Sequence, residues 1–432
     1  MIGSLFNSDL IKTTSYKVVL PFYIYGAVSF LVAAILLLTS SVDFEGHYFN
    51  PRILAITHIM ALGWGTMIIL GASHQLVPVL TEGQLYSEKL AKWSFYLAAV
   101  GIPMLVYAFY VFNMGPIAKW GGRFVLIAVL LYLINIANSI DKSNNGGNIH
   151  ATFVLGAVIW LFLTVLVGLA LVYNFTYNLL PKDHLHYLYF HAHLGIIGWF
   201  LLLIIGVGSR LIPMFMISKY TNNKLLWTVF ILINLALLFF VVFFYWMEAL
   251  VGLTFIPVIF ILSAIVMFGF YCYKAYRQRL RKQVDDQVKV SLLAVAMLIL
   301  PLMMLIVVIS LLLTVTSLET NLILTYGFLI FFGWLTAIIL GMTFKTLPFI
   351  VWNKVYHKQA AQTATPNPKD LFSSKIFKIM ALTYIIGIAL FAVGILVVQS
   401  ILLKSGAVLI LMAAMLYNFN VFKVVNHHIE AQ

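Results

Sequence analysis

Eleven histidines punctuate the chain, and four of them lie on two apolar helices that share a repeated pattern: His58 and His74 on helix 2, His191 and His193 on helix 6. Imidazole is a good ligand for haem iron and for copper. An ionisable group at membrane depth marks by default a site facing the interior of a helix bundle. His58, His191 and His193 share one level, near the outer ends of the runs that carry them. His191 and His193 are two residues apart, about 200° around a helix, so they address opposite sides. His74 lies ~24 Å beyond His58 along a helix axis, and the two cannot share an ion. Ligation of haem or metal is the leading chemistry for His58, His191 and His193; buried hydrogen-bonding histidines and a proton relay are the alternatives.

The elements that position these residues repeat. The stretch HIMALGWGTMIILGASHQLVP, residues 58 to 78, meets HLGIIGWFLLLIIGVGSRLIP when shifted by 135 residues, and FLIFFGWLTAIILGMTFKTLP when shifted by 135 again. Gly63-Trp64, Gly198-Trp199 and Gly333-Trp334 fall in register, as do Gly71, Gly206 and Gly341, and Pro78, Pro213 and Pro348. Shared Trp and Pro columns at one ungapped spacing define an internal threefold repeat, with units of about 1–141, 142–283 and 284–432 in a single membrane domain over 1–432. The repeated glycines allow close approach of a neighbouring helix or of a flat macrocycle, and helix packing is the commoner use.

With 63% apolar and 9% charged residues, the chain departs far from soluble usage. Runs long enough to cross a bilayer fall at about 17–41, 52–81, 92–113, 121–140, 149–180, 187–217, 226–247, 249–273, 290–316, 321–351, 376–398 and 400–422. Twelve transmembrane helices, four to a repeat, make an all-α polytopic membrane protein. Its net charge of +13 reflects topology, not nucleic-acid binding, because 21 of 26 Lys and Arg lie on one side when both termini are cytoplasmic. Helix 1 is too long for a signal-peptide core and has no cleavage site, which makes it an anchor. The lone Cys272 excludes a thiolate cluster.

An inner polar layer holds His74, Gln75, Arg210 and Lys345, the last three in one repeat column. Snorkelling towards headgroups is the leading reading there, with a haem propionate or a quinone as the sharper partner for His74 and Arg210. Glu248, at an outer helix end, is an interfacial carboxylate or a proton acceptor. His184 and His186, on the outer loop, read as solvated, with an outer copper site as the alternative.

Twelve helices in pseudo-threefold four-helix units, a His near the outer end of helix 2, GASHQLVP near its inner end and His on helix 6 resemble subunit I of the haem-copper oxidase superfamily. GASHQLVP is most similar to the nitric oxide reductase and C-type oxidase branches. The resemblance implies that His58 is the helix-2 ligand of a b-type haem and that His191 or His193 is the helix-6 ligand of copper or iron. It also implies a place in the cell (inner) membrane, a quinol or cytochrome electron donor, and nitric oxide or oxygen as the gas. The chain departs from that pattern: Tyr326 and Phe328 occupy the helix-10 His-x-His columns, and FFYWMEAL (243–250) lacks the helix-7 His pair. A relative without the full binuclear centre follows, with His58 and His191 or His193 clamping one haem. It would carry electrons or bind gas. A working oxygen or nitric oxide reductase with a rearranged metal site, and a non-redox transporter or assembly factor for haem or copper, are the alternatives.

The charge bias predicts that a reporter fused after Gln432 is active only as a cytoplasmic fusion. Activity of a secreted-only reporter at that position would invert the topology.

Overall fold

A computed structural model describes residues 14–246, 253, 255–280, 283, 285–314, 320–356 and 365–428. Among them, twelve helices are long and apolar enough to cross a membrane, and strand pairing is limited to an isolated bridge between Ser218 and Arg279. In a bilayer each backbone polar group must be satisfied within its own segment, which makes the helix the solution for continuous apolar runs of this length. The helices are α1 (Tyr16–Thr39), α2 (Pro51–Leu80), α3 (Glu88–Tyr110), α4 (Pro116–Asp141), α5 (Ile149–Tyr177), α6 (His184–Met216), α7 (Asn223–Tyr245), α8 (Phe255–Arg277), α9 (Asp286–Leu311), α10 (Thr320–Tyr356), α11 (Ser374–Leu396) and α12 (Ser400–Val425). The chain is an all-α, multi-pass integral membrane protein whose helices suit contact with lipid.

Helices α2, α6 and α10 each change pitch. Their α-helical first turns give way to π-helix over Ile59–Thr66, Leu194–Leu201 and Leu329–Leu335, then return to α. The three segments start 135 residues apart, at the spacing of the sequence repeat. Each contains the Gly-Trp pair, and each follows directly on His58, His193 or Phe328.

Contacts divide the chain into two compact units. The first comprises Met1–Val19, Leu70–Gly101 and Met114–Gln283. Within it α4 packs on α5, α5 on α6, and α7 on α8. The α5–α6 register is antiparallel: a Cβ on Gly198 would meet Trp160 Cβ at 2.6 Å, and one on Gly206 would meet Phe153 Cγ at 2.8 Å. Polar ties join α3 to α4, where Asn135 accepts the Ser87 amide at 2.9 Å and returns its own amide to Ser87 O at 3.0 Å.

The second unit comprises Leu20–Ile69, Ile102–Asn113 and Val284–Gln432. Here α11 packs on α12 and α9 on α10. A Cβ on Gly63 would meet Ser29 Oγ at 2.8 Å, and one on Gly341 would meet Gln287 O at 2.6 Å. Gly63, Gly198, Gly206 and Gly341 therefore face the helix that precedes their own. At these four positions the glycine serves helix packing.

Gly341→Leu should lower the thermal midpoint in detergent, at a cost of about 1–3 kcal/mol or more for overpacking. Gly269→Ala, whose added Cβ meets nothing within 4 Å, should leave it unchanged or slightly raised. Equal behaviour of the two would refute the close approach at Gly341.

Candidate functional site

Helix α2 starts at an Asn-Pro step. Asn50 accepts the Arg52 amide at 2.9 Å, and Pro51 occupies the first turn, where a missing N–H costs nothing. Arg52 pairs with Asp43 at 3.0 Å and lies over the Tyr110 ring at 6.0 Å. This anchored turn leads to His58, whose Nδ1 lies 2.8 Å from Leu54 O. A carbonyl only accepts, so Nδ1 is the protonated nitrogen, and in the neutral ring Nε2 carries the lone pair. Phe109 walls the imidazole, with centroids 4.5 Å apart.

Helix α6 repeats the arrangement. Asp183 caps it by accepting the His186 amide at 2.8 Å. Further along, His193 Nδ1 donates to Tyr189 O at 2.7 Å, and the Phe240 ring stands 5.8 Å away. His58 and His193 thus share a posture: Nδ1–H on the carbonyl four residues back, a phenylalanine beside the ring, and a π-segment immediately after. His191 differs. Its Nδ1 donates across to Thr164 O of α5 at 3.1 Å, and its ring fills the place that Gly168 leaves open, 2.8 Å from where a Cβ would stand. The two histidines of α6 therefore address different neighbours, α5 and α7, as their two-residue spacing predicts.

In the third copy the column holds Phe328, buried and stacked on Phe332 at 5.1 Å and on Phe391 at 4.6 Å. The tryptophans of all three copies are fully buried. Trp64 stacks on Phe30 at 4.7 Å and donates Nε1–H to Thr336 Oγ1 at 3.0 Å.

The inner layer divides. Arg210 is exposed, as snorkelling requires. His74 is fully buried, edge-on to Tyr132 at 5.4 Å, with its carbonyl accepting from Thr14 Oγ1 at 2.7 Å. It does not reach towards headgroups, because Tyr132 and the Thr14 segment close over it. Lys345 pairs with Asp285, at the start of α9. His184 lies against Phe175 at 3.7 Å, and His186 among Tyr187, Tyr189 and Phe244. Both residues are half-buried beside these aromatic rings. Glu248 lies outside the described residues.

Among the described residues no three His, Cys, Asp or Glu side chains gather as a metal ion would require. A ring held through Nδ1 by a carbonyl has the orientation and tautomer that a metal-ligating imidazole uses. The carbonyls of Leu54, Tyr189 and Thr164 and the gap at Gly168 went unread in the sequence. Backbone acceptors leave no sequence signal, and only a glycine in the middle of an apolar run hinted at the last. No family model and no curated protein matches this chain.

The geometry predicts the Nδ1–H tautomer for His58, His191 and His193 in the ligand-free protein. Nitrogen-15 NMR of histidine-labelled protein reads this directly, and Nε2–H signals for His58 or His193 would contradict the assignment.

Proposed function

We propose that the chain is a haem-binding integral membrane protein built like respiratory oxidase subunit I without its full binuclear centre. In this reading His58 and His193 are haem-ligand positions, each offering Nε2 within its own unit, and the protein carries electrons or binds a diatomic gas, nitric oxide or oxygen. The observation that carries it is the common posture of these two imidazoles, which belong to one repeat column. A carbonyl acceptor on Nδ1 fixes the ring plane and raises the basicity of Nε2.

Haem, when bound, supplies one-electron exchange and, where an axial position opens, a seat for gas. The chain's own part is orientation and exclusion of water: Leu54 and Tyr189 hold the rings, Phe109 and Phe240 wall them, and the buried Trp64 and Trp199 close the turn that follows. His191, held against α5, serves as a buttress between α5 and α6. The reading includes three four-helix units about a pseudo-threefold axis, cytoplasmic termini and the inner cell membrane, supported by the 135-residue spacing and the charge bias. A quinol or a cytochrome would be the electron donor.

Optical spectra of detergent-purified protein from haem-replete cells should show a sharp b-type α band on dithionite reduction. His58→Ala and His193→Ala should each abolish or strongly reduce it, while His191→Ala retains it; circular dichroism checks that each variant is folded. A shift with carbon monoxide or nitric oxide would distinguish a gas site from a six-coordinate electron carrier. Wild-type protein without a haem spectrum would overturn the proposal.

A further inference from the structure

The C-terminal ends of α10 and α12, both in the second unit, hold a cluster that the haem reading does not use. An open cavity of about 490 Å³ is lined by Tyr356, Lys423, Asn426, His427 and His428. Tyr356 is buried, and its hydroxyl lies 2.8 Å from His427 Nε2. Lys423, in the last turn of α12, and His427, just beyond its C-cap Asn426, both line the cavity. Among the described residues the lining offers an ammonium, two imidazoles, an amide and a phenol, and no carboxylate.

Basic side chains at a helix C-terminus also complement its dipole, which is the plainer account of Lys423. Two carbonyls of that last turn, however, are already taken by backbone amides: Phe422 O by Asn426 at 3.0 Å, and Val424 O by His427 at 3.1 Å. Beside them Met415, Phe419 and Phe422 form an exposed apolar stripe at helical spacing along α12. A cationic cavity ending an apolar stripe has the two-part character of an acidic phospholipid.

We propose that this cavity binds a phosphate group, supplied by the headgroup of an acidic phospholipid whose acyl chain follows the stripe. Lys423 is the counter-charge, His427 and His428 donate hydrogen bonds to phosphate oxygens, and Tyr356 sets the orientation of His427. Pockets of this kind between membrane helices recognise anionic headgroups.

Native mass spectrometry of the delipidated full chain, titrated separately with phosphatidylglycerol, phosphatidylcholine and inorganic phosphate, tests this. Phosphatidylglycerol adducts should exceed phosphatidylcholine adducts, and Lys423→Gln should weaken them about fivefold, the effect of one basic residue near a lipid surface. Lys404→Gln, at the opposite end of α12, should not. Inorganic phosphate binding that is lost in Lys423→Gln, without a preference for phosphatidylglycerol, would keep the phosphate site and identify its occupant as a free anion. Equal effects of the two substitutions, or no effect of Lys423→Gln in protein of unchanged thermal midpoint, would overturn the proposal.

Discussion

In an apolar medium a carbonyl released from the helical ladder must find another donor, and the widened turns of α2, α6 and α10 are built around that constraint. A π-turn shifts the register of the i→i−4 ladder and exposes carbonyls to new partners. In α10 these partners are hydroxyls: Thr336 Oγ1 donates to Phe331 O at 2.7 Å, and Tyr384 OH lies 2.7 Å from Phe332 O and 2.5 Å from Gly333 O. In α2 the Met67 amide spans the exit of the turn, reaching Leu62 O and Trp64 O. The Gly-Trp pair sits inside each widened turn, the glycine of α2 and α6 admitting the preceding helix and the indole fully buried.

The recurrence of that turn explains why so much of the architecture could be read from the residues. Trp, Gly and Pro columns at a constant spacing record a local geometry, and the π-segments fall on those columns. Helix number follows from apolar length for the same reason: both are properties of the chain's own segment. The place of His58 and His193 directly before a π-segment is of this kind too.

Rotation and enclosure are not. Two residues of separation place His191 and His193 on different sides but do not say which side is which; Thr164 and Gly168 of α5 decide that, from another helix. His74 has the depth of a snorkelling residue yet is buried, because Tyr132 of α4 covers it. The contacts also divide the first repeat between two compact units. A repeat describes how helices were made alike, whereas contacts depend on the side chains each copy presents to its neighbours.

Comparing the three copies separates what packing needs from what chemistry needs. At the entrance to the widened turn the third copy has Phe328, packed between two other phenylalanines, so the fold is satisfied there by a purely apolar ring. An imidazole in the same place costs more, since its nitrogens must be desolvated and supplied with partners. The first two copies accept that cost, and both meet it at Nδ1 with a carbonyl from the preceding turn, the arrangement that leaves Nε2 as the basic nitrogen. If packing were the only demand on this column, a phenylalanine would serve in all three copies. Imidazoles in two of them, each held through Nδ1 by the carbonyl four residues back, are a polar feature that the packing of the third copy does without.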